Sequence, residues 1–413
     1  MSAPAIAARR GFVVAVAFVA TIVATPGASP AFAQDGIKPV VPPQPLPPQK
    51  PAPDLKLPPD PVADAIQKGV VYLRGAQEKD GSFGAPRNVM FNESFATYYT
   101  YEAWTYATTG LCAMALADCG AGAEDAAALD RAVDFLLTKP SPKRVSDWDT
   151  DNVWGYVYGL QAFAHLLPME HFAKDPRRAA MVERATELIG KLNRWQTPFG
   201  GWAYYDMDAE TIPPVWTTSF TTAAGVIALQ DAKAAGLPID EKVLEKALRC
   251  VAHTHLPNGA YTYNVETIST PANLEFIDQV KGSLGRIQVG NVALNRAGKV
   301  DLKTVKWGLE QFFEHHKFLA VARKKPIPHE SWYAVAAYFF LFGHYYASEA
   351  IELLPADQRA PFAKQLEQKL MEIQEADGSM WDFHISDYTR SYGTAFAIMA
   401  LQRARKAVAT GGG

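Results

Sequence analysis

The chain has 413 residues, 48% of them apolar, with 40 basic and 43 acidic side chains and a net charge of −3. That length suits one large domain or two ordinary ones, and the apolar share supplies a sizeable core, which excludes a disordered chain. The slightly acidic balance gives no support to nucleic-acid binding.

The first 33 residues have the layout of an export signal. Arg9 and Arg10 precede an apolar run from Gly11 to Ala24, and Ala31, Phe32 and Ala33 form a small-x-small cleavage site. Cleavage is expected after Ala33. The alternative is a retained anchor, but a run of about 14 residues is short against the roughly 20 that cross a bilayer. RRGFVV also resembles a twin-arginine signal, with Ala8 before the pair. No second long apolar run follows. The mature protein is therefore expected in the periplasm or outside the cell, without spanning a membrane.

Residues 34–62 are dominated by proline, as in VPPQPLPPQKPAPDLKLPPDP. Proline fixes the backbone in an extended conformation and cannot build a packed core, so this stretch reads as a spacer or as a docking ligand for a proline-binding partner. The globular part is expected over 63–405, with a flexible tail at 406–413.

Within it a phrase recurs: QEKDGSFG from Gln77, QTPFGGW from Gln196, HLPNGAY from His255 and QEADGSMW from Gln374. Glycine follows each opening by four positions, at Gly81, Gly200, Gly259 and Gly378, and a large apolar residue follows two later, at Phe83, Trp202, Tyr261 and Met380. The openings lie 119, 59 and 119 residues apart. A unit of about 59 residues fits them all, with degenerate slots near 136 and 315, giving six units.

Each unit has one plan. A helix with apolar residues at three- and four-residue spacing ends at the phrase, as in AIQKGVVYLRGAQ and RATELIGKLNRWQ. A glycine turn and a variable loop follow, then a more apolar helix: TGLCAMALAD, VWGYVYGLQAFAHLL, TTAAGVIALQDA, SWYAVAAYFFLFGHYY and YGTAFAIMALQRA, with LGRIQVGNVALNRAG as the fourth. A helix apolar nearly all round must be covered on most sides, so two layers are implied. Six hairpins make either an open solenoid or a closed ring, and closure removes the exposed ends. The predicted fold is all-α: an α/α toroid of six hairpins, about twelve helices.

Cys112, Cys119 and Cys250 are an odd number, so at least one is unpaired or bonds another chain. Seven residues apart on one helix, Cys112 and Cys119 would have α-carbons about 10 Å apart, too far to bridge. All three read as core.

The Gln-x-x-x-Gly-x-aromatic phrase resembles the QW motif of squalene and other terpenoid cyclases, whose toroid is shared by protein prenyltransferase β subunits. The resemblance spans residues 64–402. It implies that Gln77, Gln196 and Gln374 cap helix ends and pack on aromatic rings of a neighbouring unit, with Phe83 and Trp202 as partner rings. His255 replaces one Gln, and Met380 replaces one ring. Squalene-type cyclases protonate an alkene from an Asp-x-Asp-Asp motif; the nearest match here, DWDTDN, has Asp147, Asp149 and Asp151 with Thr150 intervening. No Asp-x-Cys is present for the prenyltransferase zinc set, and GLCAM around Cys112 lacks the Cys-Gly-Glu-Gln thioester of macroglobulin-type toroids.

Loops entering the inner helices of a toroid gather at one mouth, where function usually sits. They carry Tyr98, Tyr99, Tyr101 and Trp104; Trp148, Asp149 and Asp151; Tyr204, Tyr205, Asp206, Asp208 and Trp216; Tyr263 and Glu266; His329, Glu330 and Trp332; and Trp381, Asp382, His384, Asp387, Tyr388 and Arg390. Such rings stabilise a carbocation, stack on sugars, or form ordinary core, while Asp151 or Asn152 and the run Thr217, Thr218 and Ser219 are placed to cap helices. The three alternate carboxylates of DWDTDN suggest calcium, but position twelve of an EF-hand loop would be Tyr158 rather than Glu. WDFHISDYTR combines acid, imidazole, phenol and guanidinium, a mixture suited to anion recognition or acid-base work.

The favoured reading is an exported toroid that binds, with or without processing, an elongated apolar ligand of isoprenoid type. No metal or cofactor is expected. Asp149 is the expected acid, helped by Asp147 and Asp151, with Asp382 and His384 as further catalytic candidates. Ligand-binding candidates are Trp148, Tyr204, Tyr205, Asp206, Asp208, Trp216, Trp332, Trp381, Tyr388 and Arg390. The alternatives are a noncatalytic module for a partner protein or glycan, and a carbohydrate-active enzyme using Asp206, Asp208 or Asp382.

Overall fold

The computed structural model describes residues 60–89, 96–266, 276–329 and 332–410. The expected export signal, nearly all of the proline-rich spacer, and Glu330 lie outside the described residues.

Fourteen helices follow one another among the described residues. They are α1 (Pro61–Ala76), α2 (Tyr98–Cys119), α3 (Ala123–Thr138), α4 (Asn152–Leu166), α5 (Glu170–Ala173), α6 (Arg178–Arg194) and α7 (Ser219–Ala234), then α8 (Glu241–Thr254), α9 (Leu284–Arg296), α10 (Leu302–Glu314), α11 (His316–Ala322), α12 (Phe339–Leu353), α13 (Ala356–Met371) and α14 (Tyr388–Thr410). A short antiparallel pair, β1 (Trp216–Thr218) and β2 (Asn264–Glu266), ties two mouth loops together.

The outer helices are amphipathic. In α1, Val62, Ala65, Ile66, Gly69, Val70 and Leu73 are buried at three- and four-residue spacing, Pro61 opens the helix, and the Asp60 side chain accepts from the Ala63 N–H. The inner helices are buried nearly all round: every residue of α12 from Phe339 to Ile351 is buried. They form a closed ring in which α2 packs on α4, α4 on α7, α7 on α9, α9 on α12, α12 on α14, and α14 returns to α2. The outer helices α1, α3, α6, α8, α10 and α13 pack against this ring. The six expected hairpins are therefore present as an α/α toroid. Where inner helices approach most closely, side chains are small. A Cβ on Gly110 of α2 would lie 2.7 Å from the Tyr158 carbonyl oxygen of α4.

The recurring phrase forms the joint between units. Gln77 Nε2 donates to the carbonyls of Gly81 (3.0 Å) and Ala128 (2.8 Å). Gln196 Nε2 reaches Gly200 (2.6 Å) and Val243 (2.9 Å), and Gln374 Nε2 reaches Gly378 (3.1 Å) and Ala65 (2.8 Å). One amide thus fixes its own turn and holds the next outer helix, and the last copy joins the sixth unit to the first. Gly378 has φ +88°, and a Cβ there would strike the Lys68 carbonyl oxygen, so glycine is required twice over. The rings behave differently from expectation. Trp202 stays within its own hairpin, donating Nε1 to the Leu192 carbonyl at 2.9 Å and packing on Gly225, so the amide rather than the ring makes the link between units. At the fourth joint His255 stacks on Tyr261, with ring centroids 4.8 Å apart.

A regularity not visible in the sequence secures each phrase to its own inner helix. The backbone N–H of Phe83, Trp202, Tyr261 and Met380 donates to the hydroxyl of Thr109, Thr222, Ser283 and Thr394 respectively, at 2.9 to 3.0 Å.

Three boundaries shift. The inner helix expected from Ser331 begins at Phe339, because His329 and Ala334 adopt positive φ and Val335 to Ala337 form a buried turn. Helix α14 runs through 406–410, the expected tail, with Ala407 buried, and α1 begins at Pro61. The degenerate slot near 315 holds the short α11. The three cysteines are free and buried.

Candidate functional site

All six inner helices start at the same end of the ring. There the N-terminal halves of α2, α4, α7, α12 and α14, with the loops that enter them, enclose a chamber of about 500 Å³. Its floor and walls are aromatic: Trp154 and Tyr158 from α4, Phe220 from α7, Phe339 and Phe342 from α12, and Tyr392 and Phe396 from α14. Trp154 stacks on Tyr158, with centroids 5.5 Å apart and planes 10° apart. At the entrance Tyr101 stacks on Tyr388 at 6.3 Å, and Trp104 meets Tyr388 edge-on at 5.8 Å.

One carboxylate among the described residues lines this chamber, that of Asp151. It stands at the N-cap of α4 with φ 65°, yet makes no side-chain cap. The Val153 N–H that a capping carboxylate would take is instead bonded to the Tyr204 carbonyl at 3.1 Å. Released from capping, Asp151 accepts from Trp104 Nε1 at 3.0 Å and from the Thr150 hydroxyl at 3.3 Å. Burial pushes its carboxyl up to about 6, against the lowering effect of those two donors.

Beside it runs a chain of hydroxyls. Tyr204 hydrogen-bonds Tyr263, Tyr263 bonds Tyr338 at 3.0 Å, and Tyr338 bonds His329 Nε2 at 2.9 Å. His329 Nδ1 lies 2.8 Å from the Ala334 carbonyl. A carbonyl only accepts, so Nδ1 carries the proton and Nε2 accepts from Tyr338. That assignment orients the whole chain, each tyrosine donating toward His329. Burial lowers the His329 pKa and raises those of the three tyrosines, which the charge of nearby Asp151 raises further.

The other expected acids lie elsewhere. Asp149 is buried in its loop, accepting from the N–H groups of Val145 (2.8 Å) and Ser146 (2.6 Å) and from the Thr97 hydroxyl. Asp147 accepts from the Ile212 N–H at 2.7 Å and pairs with Arg144. Of the three carboxylates of DWDTDN, Asp151 is therefore the one that lines the chamber, because the first two fold the loop. Asp382 is buried behind Tyr392, accepting from its hydroxyl at 3.1 Å and from the Leu341 N–H at 2.8 Å, and burial lifts it to about 6. His384 packs edge-on against Trp381.

Of the ligand-binding candidates, Tyr204 and Tyr388 line the chamber. Asp206 is buried beneath it, accepting from the Tyr156 hydroxyl at 2.8 Å and from the Asp208 N–H at 2.9 Å. Asp208 lies 3.9 Å from Lys191. Tyr205 covers the Arg144 guanidinium and meets Trp216 edge-on. Arg390 pairs with Asp377 and lies over Trp381. Trp148 and Trp332 are exposed on the outside. The sequence reading missed Trp154, Tyr158, Phe220, Tyr338, Phe342, Tyr392 and Phe396. The signal for most of them was an aromatic residue in the first half of an inner helix.

Among the described residues one grouping brings metal-ligand atoms within 4.8 Å of one another, Asp130, His171 and Asp175. Arg177 already pairs with Asp130 and Asp175 there. No described helix is long and apolar enough to cross a membrane.

No family model matches the sequence, and no curated protein is similar to it. Solved structures are similar in fold. An inactive α-1,6-mannanase variant from Salegentibacter, in complex with α-1,6-mannotetrose, has a TM-score of 0.54 and 12% identity over 83% of this chain and 99% of its own. A type II terpene cyclase variant from Scytonema, in complex with geranylgeranyl dihydroxybenzoate, has 0.49 and 13% over 84% and 98%. At these identities the likeness concerns the fold alone, an α/α barrel shared with the mannanase.

Proposed function

We propose that the chamber receives the apolar chain of an isoprenoid-type ligand and that Asp151 acts on it as a proton donor. The observation that carries this reading is Asp151, the one carboxyl that lines the chamber among the described residues, set among aromatic side chains and holding donors from Trp104 and Thr150. Burial keeps the Asp151 proton in place up to about pH 6, and the Trp104 and Thr150 donors, which oppose burial, favour its release: the Asp151 O–H bond breaks, a C–H bond forms on an alkene carbon, and the neighbouring carbon becomes cationic. Trp104 Nε1 and the Thr150 hydroxyl hold the carboxylate left behind. The faces of Trp154, Phe220 and Phe342 stabilise the cation through their quadrupoles until a carbon-bound proton passes back to the Asp151 carboxylate, which restores a double bond and regenerates the acid.

The test is incubation with isoprenoid alkenes in D2O. The expected product carries deuterium at the protonated carbon, and Asp151→Asn forms none. Product made without deuterium, or undiminished by Asp151→Asn, would overturn the assignment.

A second reading is glycan binding without hydrolysis, supported by the stacked rings at the entrance and by the fold shared with a mannanase that holds a mannan oligosaccharide. Hydrolysis needs a second carboxyl about 5 to 10 Å from the first, and among the described residues Asp151 is the one that lines the chamber. Saturable binding of a mannan oligosaccharide, quenching tryptophan fluorescence, would favour this reading.

A further inference from the structure

The inner helices also end together, and at that opposite end lies a second pocket of about 310 Å³ with a different chemistry. All six contribute from their C-terminal halves, including Met114, Gln161, Asp231, Arg296, Glu349 and Arg403. Phe396 separates the two spaces, packing on Tyr158 of the chamber at 5.7 Å and on Tyr345 of the pocket at 4.9 Å.

The charged side chains here are linked. Arg296 pairs with Asp231 at 2.8 Å and with Glu349 at 3.1 Å, while Arg403 faces Glu349 and Glu352 at 3.5 Å. At the rim His165 lies 2.8 Å from Asp118. A network that only plugged the barrel would fill its space and satisfy its own polar atoms, because buried charges cost stability unless fully paired. This one does neither. Gln161, 2% exposed, lines the pocket and gives Nε2 to Asp231 at 3.3 Å, but its Oε1 has no hydrogen-bond partner. Asp231 is held above the usual carboxylate range by burial and by Glu349, despite Arg296.

The spare capacity is therefore in acceptors: the Gln161 oxygen, which has no donor, and the carboxylates of Asp231 and Glu349, whose oxygens each hold one donor from Arg296, Arg403 or Gln161 and keep further lone pairs. Six helix C-termini add partial negative charge. We propose that this pocket is a binding site for a compact organic cation bearing an ammonium group, whose N–H donors fill those acceptors. The site is independent of the aromatic chamber and of any reaction there.

The test is calorimetric titration of the full mature chain with butane-1,4-diammonium at low ionic strength, with sulfate as the anionic counterpart. One saturable site is expected, weakened at least tenfold by Asp231→Asn and by Gln161→Leu and unchanged by Glu310→Gln, which removes an exposed charge on the outer helix α10. Gln161→Leu leaves every ion pair intact, so it decides the matter if Asp231→Asn fails to fold. No saturable binding at millimolar probe, equal binding in wild type and Gln161→Leu, or saturable binding of sulfate instead would each overturn the proposal.

Discussion

Val153 gives its backbone N–H to the Tyr204 carbonyl at 3.1 Å, and this bond between two units is what leaves Asp151 free to face the chamber. An aspartate at an N-cap normally takes that donor and becomes a strong acid. Here the third unit caps the helix of the second, and the displaced carboxyl becomes a weak one.

The raised pKa makes stability depend on pH in a defined direction. Between the ordinary value of 3.8 and about 6, the folded protein holds the Asp151 proton that the unfolded chain releases. The cost of ionising it therefore accrues as pH rises through that window and is complete above it, at about 2 to 3 kcal/mol. Asp151→Asn removes this cost. Urea unfolding at pH 4 and pH 8 should show the variant gaining stability over wild type between the two, by about that amount; a pH-independent difference would place the carboxyl in water.

The joints give a graded series. Gln374→Ala loses one hydrogen bond across the closure of the ring, to Ala65, and one within its own turn, to Gly378, a loss of about 1 to 3 kcal/mol. Gly378→Ala should cost more, because a positive φ and a backbone collision act together. Gly75, in the last turn of α1 with open space around its Cα, is the control; alanine there should hold or raise the melting temperature.

The orientation of the tyrosine chain rests on one tautomer. Histidine-selective 15N spectra should show His329 neutral and protonated on Nδ1 at pH 7, with burial holding its pKa below the ordinary value and Tyr338→Phe shifting its Nε2 resonance. An imidazolium at pH 7 would break the directed chain.

The sequence carried much of the fold because periodicity and a repeated phrase are local. Helices α4 and α7 are legible as nearly unbroken apolar runs, and Gln77, Gln196 and Gln374 mark the joints through their spacing to glycine. What stayed hidden depends on partners distant in the chain. The late start of α12 follows from a turn in which His329 bonds the Ala334 carbonyl, and nothing in SWYAVAAYFF announces it. The three acids of DWDTDN look alike in sequence. Asp149 folds the loop through Val145 and Ser146, Asp147 reaches Ile212 some 65 positions away, and Asp151 is turned inward by Tyr204. The chamber's rings, such as Phe220 and Tyr392, read as core because they lie on helices that are core on every other side.

The central claim is that the chamber holds an apolar chain. It is tested most directly by solvent extraction and mass spectrometry of the purified protein beside an Ala107→Phe variant whose added ring projects into the chamber from α2. An isoprenoid released by wild type and absent from the folded variant is the predicted result. Extracts that hold no lipid, or equal lipid from both proteins, would contradict it.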